Sequence, residues 1–248
     1  LTADEEGDAD YGTKTVVDWL INNNKKIDYC LVGEPTNPNT LGEMIKVGRR
    51  GSLNGEITIK GKQGHVAYPE KCKNPIDDLL KVCSSLNEKL DEGSKTFQPS
   101  KLTITSIDVG NKVTNLVPNS VKLRFNVRFN DNFKSGDIIK IINNRLKSSN
   151  CNYDLKTKVS GESFFNFSEK LTDSIVEAIK KVTKTEPELS TSGGTSDARF
   201  ISKICPVIEF GIVGKTMHQI NENISVTDIE KLSEIYFLFL KNIFKDKF

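Results

Sequence analysis

The sequence predicts an α/β domain, discontinuous in sequence, with a ferredoxin-like α+β unit inserted into it. Three observations carry that prediction. Near both ends, short apolar runs alternate with segments of helical spacing, the pattern of an α/β layer. Between residues 49 and 160 the apolar residues instead recur every second position, in two stretches each separated by a helical one. After Gly161 the α/β character returns. The expected boundaries are therefore residues 1–48 with 161–248 for the α/β domain, and 49–160 for the insert.

Taken in order, residues 1–3 read as a strand leading into an acidic loop. Residues 12–22 have helical spacing, with Val16, Val17, Leu20 and Ile21 on one side. Tyr29-Cys30-Leu31-Val32 reads as a short buried strand ending at Gly33-Glu34-Pro35. Residues 52–60 alternate between Leu53, Gly55, Ile57, Ile59 and polar neighbours, a half-exposed strand. Residues 74–90 form an amphipathic helix, 102–109 and 121–129 alternate again, 138–146 is helical and 153–159 is a strand. The order β-α-β-β-α-β is that of a ferredoxin-like unit. Beyond it, residues 170–183 read as a helix, and Ser192-Gly193-Gly194-Thr195-Ser196-Asp197 as a glycine-rich turn into another. Residues 206–210 form a buried strand. Residues 227–244 form a terminal helix, with Thr227 as its N-cap and Glu230 closing a capping box.

The bulk properties exclude several functions. The 248 residues carry 35 basic and 33 acidic side chains, a formal charge of +2, so no field draws the chain to nucleic acid or a membrane surface. No apolar run approaches the roughly 20 residues that span a bilayer, and no secretory leader is expected. Five scattered cysteines without a CxxC pair argue against a thiolate metal site or a disulfide framework and fit a reducing, cytoplasmic setting. A start at Leu1, without Met and inside a strand, suggests that the front of the protein is missing.

Five segments hold groups able to do chemistry. Asp4-Glu5-Glu6-Gly7 places adjacent carboxylates at a strand end, where successive side chains diverge. One can bind a metal while its neighbour takes a proton from water; taken alone, the run reads more readily as a solvated acidic loop. Glu34 follows a buried strand, at the end where open α/β sheets gather ligands, or it is an exposed or capping carboxylate. His218, in a polar loop after the strand at 206–210, suits zinc as a neutral imidazole; a surface histidine is the alternative. His65, between Gly64 and Val66-Ala67-Tyr68-Pro69, lies in a tight turn or a close backbone approach, or is a surface residue of the insert. The turn at 192–197 offers backbone N–H groups to a carboxylate at a helix start, or it is a plain capping turn.

Six segments carry a resemblance in order along the chain: Asp4-Glu5-Glu6-Gly7, Val32-Gly33-Glu34-Pro35-Thr36, Gly61-Lys62-Gln63-Gly64-His65-Val66-Ala67-Tyr68-Pro69, Thr114-Asn115-Leu116-Val117-Pro118, Gly193-Gly194-Thr195-Ser196-Asp197-Ala198-Arg199-Phe200 and His218-Gln219-Ile220-Asn221-Glu222. Together they resemble the zinc-dependent aminoacylase/carboxypeptidase family. The resemblance implies a catalytic α/β domain, an inserted dimerisation domain, a homodimer and two zinc ions per subunit, with cobalt as a possible substitute. It implies Glu5 as general base, Glu6 and His218 as ligands of one zinc, and Glu34 as a ligand of the other. It implies that His65 crosses the dimer interface to stabilise an oxyanion, and that Asn115, Arg128, Gly194 and Thr195 contact substrate carboxylates. The segments around His65 and Gly193 favour hydrolysis of N-succinyl-LL-2,6-diaminopimelate over deacetylation of acetylornithine; deacetylation or cleavage of dipeptides by the same metal chemistry is the alternative within the family. The resemblance also implies a histidine and a bridging aspartate upstream of Asp4, which this sequence does not contain. The 248 residues alone are therefore expected to bind zinc poorly and to be weakly active or inactive. A non-catalytic dimerising or ligand-binding fragment is the alternative from a different class.

Overall fold

The computed structural model describes Gly7 and residues 9–245, in two compact units: Leu1–Arg49 with Phe164–Phe248, and Arg50–Ser163. In chain order, the first segment holds α1 (Thr13–Asn22), β1 (Cys30–Val32), β2 (Met44–Lys46) and β3 (Gly48–Arg49). The insert holds β4 (Gly51–Lys60), β5 (Gly64–His65), α2 (Pro75–Leu86), β6 (Lys101–Asp108), β7 (Leu116–Val117), β8 (Ser120–Phe129), α3 (Ser135–Ser148) and β9 (Tyr153–Gly161). The last segment holds β10 (Phe164–Phe165), α4 (Glu169–Thr183), β11 (Glu188–Ser190), α5 (Ala198–Ile201), β12 (Val207–Glu209) and α6 (Val226–Ile243). The strand expected over residues 1–3 lies outside the described residues. No helix among those described is long and apolar enough to cross a membrane.

In the discontinuous unit a four-stranded sheet runs β1-β12-β2-β11, with β1 parallel to β12 and β2 parallel to β11. Helices α4 and α6 pack together, and Leu171, Ile175, Ile179, Ile235 and Phe239 share one core with Ile45, Ile208 and Phe210. Burial of such side chains removes apolar area from water at roughly 25 cal/mol per Å². The Tyr236 hydroxyl donates to the Phe210 carbonyl at 2.6 Å, which fixes α6 to the end of β12. Burial raises that phenol to about 12.

The inserted unit is a four-stranded antiparallel sheet in the order β6-β8-β4-β9. This is the ferredoxin-like arrangement that the element order predicts. Alternate residues of β4 and β8 (Leu53, Ile57, Ile59, Leu123, Phe125, Val127) form the core with Leu79, Val82 and Leu86 of α2 and Ile138, Ile142 and Leu146 of α3. Two glycines of β4 explain how large rings fit there. Gly51 pairs with Phe129 and Gly55 with Phe125, and each ring lies across the glycine opposite it.

Two helix ends differ from expectation. Helix α6 starts at Val226, and the Asp228 and Ile229 amides both reach the Ser225 carbonyl. Thr227 is thus already inside the helix and cannot cap it. Helix α2 stops at Leu86, where the Arg145 guanidinium takes the Leu86 carbonyl at 3.2 Å and the Lys89 carbonyl at 3.0 Å. An arginine that fills the orphan carbonyls of a last turn ends a helix that spacing alone would prolong.

A Cβ at Gly55 would lie 2.0 Å from the Phe125 ring tip. Gly55→Ala is expected to destabilise the inserted unit by about 1–3 kcal/mol through overpacking, read as a lower urea midpoint with an unchanged m-value.

Candidate active site

Strands β1 and β12 are parallel neighbours, Cys30 opposite Val207 and Val32 opposite Glu209, so their carboxyl ends open on the same edge of the sheet. Glu34 follows the first and His218 follows the second. Side chains that bind backbone stitch these two loops together. The Asn37 amide nitrogen donates to the Gly211 carbonyl at 2.7 Å, and its oxygen accepts from Gly42 at 3.1 Å and Met44 at 3.0 Å. The Thr36 hydroxyl donates to the Met44 carbonyl at 3.0 Å and accepts the Gly211 amide at 3.3 Å. The Gly214 amide then reaches the Asn37 carbonyl at 2.8 Å. Gly211 presses so closely on the Glu34 backbone that a Cβ would lie 2.4 Å from the Glu34 carbonyl oxygen.

Glu34 is half-buried, whereas His218 is exposed with φ +60° in a loop closed by Thr216 and Asn223, whose backbone exchanges two bonds with the Thr216 hydroxyl at 2.9 and 3.0 Å. Glu5 and Glu6 lie outside the described residues. Among the described residues no group of three or more His, Cys, Asp or Glu could hold a metal ion. Glu34 and His218 by themselves therefore do not fit catalytic zinc, which takes three protein ligands.

The glycine-rich turn is built on a buried ion pair that sequence reading missed. The Arg49 Nε donates to both Glu209 carboxylate oxygens at 3.0 and 3.1 Å, and its Nη2 pairs with the same carboxylate. The Ser196 hydroxyl donates to Glu209 at 2.7 Å, and Arg49 Nη1 reaches the Ser192 carbonyl at 3.3 Å. Gly193 has φ +103°, and a Cβ there would lie 2.4 Å from Arg49 Nη1, so this position requires glycine. Asp197, next in the turn, accepts from the Thr13 hydroxyl at 2.5 Å. Beside them the buried Lys46 ammonium donates to Ser192 Oγ at 2.7 Å and Ser190 Oγ at 3.3 Å. Burial first, then the Arg49 charge, pushes that amine down to about 8. Gly194 is exposed with open space where a side chain would be, and Thr195 is half-buried. The following helix, α5, has only four residues. Positive charge at this turn therefore comes from Lys46, since Glu209 neutralises Arg49, with little from a helix dipole. One signal was available: Glu209 is a charge inside the run at 206–210, which otherwise reads as a buried strand.

In the inserted unit, His65 and Asn115 are brought together by a two-residue ladder. Gly64 pairs with Val117 and His65 with Leu116, and the Val66 amide donates to the Asn115 carbonyl at 3.1 Å. His65 is exposed, and its Nδ1 accepts the Ala67 amide at 3.1 Å. The neutral imidazole therefore carries its proton on Nε2 and presents it outward as a donor. Tyr68 packs edge-on against the ring at 5.9 Å, and Lys71 lies over Tyr68 at 4.7 Å. Arg128 is instead on β8, where its Nε donates to Asn126 at 3.0 Å.

This two-unit fold is shared with peptidases. An aminopeptidase from Bacillus cereus superposes with a TM-score of 0.77 at 21% identity, over 98% of this chain and 63% of its own. An M20 family metallo-carboxypeptidase from Sulfolobus solfataricus gives 0.76 at 18% identity, over 92% and 67%. Residues 47–154 match the peptidase dimerisation domain family, so the inserted unit is a domain of that type. In sequence the chain is a homologue of the succinyl-diaminopimelate desuccinylases. It is 51% identical to that of Pelagibacter ubique and 49% identical to that of Ehrlichia chaffeensis, in each case over 98% of this chain. It spans 65% of the length of both relatives.

Two outcomes follow from the buried charges. Glu209→Gln strands Arg49 without its counter-charge and is expected to cost about 3–5 kcal/mol in chemical denaturation. The folded protein favours neutral Lys46, since its amine is lowered from 10.5 to about 8. That contribution to stability is present at high pH and is lost as pH falls through about 8. Relative to Lys46→Met, the native protein should gain stability between pH 8 and 10.5, measured as the difference between two denaturation series.

Proposed function

We propose that the protein to which these residues belong hydrolyses the succinyl amide of N-succinyl-LL-2,6-diaminopimelate, yielding succinate and LL-2,6-diaminopimelate. The observation that carries this reading is about one identical residue in two with enzymes of that name, across nearly the whole chain. The local geometry supports it at three points. The loops bearing Glu34 and His218 are stitched together at the ends of neighbouring parallel strands. The turn at 192–197 has the Lys46 ammonium beside it, a cation for a substrate that bears several carboxylates. The His65 tautomer presents an outward N–H donor.

In this reading Glu5 takes a proton from the attacking water and later returns it to the departing amine, while Nε2–H of His65 donates to the oxyanion of the tetrahedral intermediate. His65 acts on the site of the second protomer in a homodimer formed through the inserted unit. Asn115 and Arg128 of that unit, with the backbone at Gly194 and Thr195, hold the substrate's carboxylates. The implied metal is zinc, two per subunit, with Glu6, Glu34 and His218 among its ligands; cobalt can substitute. Bound zinc would supply Lewis acidity to the reaction. The reaction takes place in the cytoplasm.

The deciding experiment is hydrolysis of N-succinyl-LL-2,6-diaminopimelate with added zinc, by these 248 residues and by a protein of the relatives' full length that contains them. Turnover is expected from the longer protein, and little from the shorter. If the longer protein leaves this substrate intact but cleaves N-acetylornithine or a dipeptide, the substrate assignment is wrong. In the longer protein His65→Ala should lower kcat by about 10²–10³-fold with a much smaller change in KM, the effect of losing one oxyanion donor. Equilibrium dialysis of the 248-residue chain should show weak zinc uptake, lowered further by His218→Ala.

A further inference from the structure

A concavity of about 530 Å³ opens in the inserted unit beside the start of β6, lined by Arg50, residues 87–91 after α2 and residues 98–102. Its wall carries three cations, Arg50, Lys89 and Lys101, against two acids, Glu88 and Asp91. Arg50 is half-buried, and its Nη1 donates only to the Pro99 carbonyl at 3.3 Å. Its Nε is shielded from solvent and has no hydrogen-bond partner. Lys101, also in the wall, is exposed and makes no ion pair among the described residues.

Of the two acids in the same wall, Asp91 is an anion held by neutral donors, and Glu88 pairs with Arg145. Asp91 accepts from the Gly93 amide at 2.5 Å, the Ser100 amide at 3.2 Å and the Asn130 side chain at 2.7 Å. Glu88 lies 3.8 Å from Arg145. The third cation of the wall, Lys89, is paired with Glu92. A guanidinium whose shielded Nε has no acceptor carries a desolvation cost, and burial lowers its proton affinity. Leu90, Pro99 and Leu102 supply the apolar part of the wall.

We propose that this concavity binds a short aliphatic dicarboxylate, with Arg50 and Lys101 each taking one carboxylate and Leu90, Pro99 and Leu102 covering the methylene chain. Guanidinium–carboxylate pairing is among the stronger charge-assisted contacts. The apolar wall distinguishes such a ligand from a compact inorganic anion. The site does not depend on the proposed hydrolysis.

The test is titration of the ¹⁵N-labelled 248-residue chain with glutarate, sulfate and neutral glutaramide, reading the amides of Leu90, Ser100, Lys101 and Leu102. Glutarate is expected to shift them saturably, and glutaramide to leave them unmoved. Lys101→Gln, a change at an exposed position, and Arg50→Lys, which keeps the charge but loses the fork, should each weaken glutarate several-fold. Arg50→Gln together with Lys101→Gln should weaken it about tenfold or more. Three results would overturn the proposal. One is no saturation up to about 10 mM, an affinity too weak for a built site. Another is equal binding by Lys101→Gln. The third is sulfate binding as well as glutarate, which would leave a site selective for charge alone.

Discussion

Arg49 and Glu209 are almost completely withdrawn from water, at 9% and 1% side-chain exposure, and taking two such charges out of solvent costs several kcal/mol per ion. That cost is offset only by near-complete satisfaction of the groups involved. The guanidinium fork meets both carboxylate oxygens, the Ser196 hydroxyl adds a third donor to Glu209, and the remaining arm of Arg49 reaches the Ser192 carbonyl. The pair therefore fastens the end of β3 to the end of β12 and to the glycine-rich turn between β11 and α5. Gly193 has no side chain because the guanidinium occupies the space one would need. Lys46, which makes no ion pair among the described residues, is left as the second cation beside that turn, held by two serine hydroxyls.

The same logic extends to the loops that carry chemistry. Loops normally have few fixed partners for their backbone, yet Asn37 is fully buried and spends its side-chain amide on three backbone groups. Together with Thr36 it makes the segment after Glu34 and the segment leading to His218 one hydrogen-bonded body. His65 is held differently. Its ring takes its proton arrangement from the neighbouring Ala67 amide, and its backbone is set by the short ladder to Leu116. In both places a side chain able to do chemistry is oriented by the main chain around it.

The two units were legible in the sequence to different degrees. The insert announces itself because a sheet with one covered face must alternate, and Leu53, Ile57, Ile59 and their counterparts in β8 do so over ten-residue strands. Strands β2 and β11 have three residues each, too short for any period to register. Glu34 could be singled out because it ends an apolar run, and the six ordered segments point to the desuccinylase homologues by residue order alone. Arg49 and Glu209 could not be read that way. Each looks like an ordinary charge until its partner, far along the chain, is known, and local pattern carries no information on such pairings. The capping of α6 failed for a smaller reason, since Thr227 and Ser225 are equally good caps in sequence and the backbone chose the earlier one.

The pairing of β1 with β12 joins positions on opposite sides of the insert, as Cys30 opposite Val207 shows. In a disordered chain, closing so long a loop costs entropy that rises with the logarithm of its length. The insert shortens that loop. Its own first and last strands are hydrogen-bonded side by side, Ser52 opposite Gly161, and its core is made of its own residues. Once folded, it holds Ser52 opposite Gly161 and so takes its own length out of the loop that joins β1 to β12. A folded insert thus lowers the entropic cost of pairing the strands that lie on either side of it in sequence.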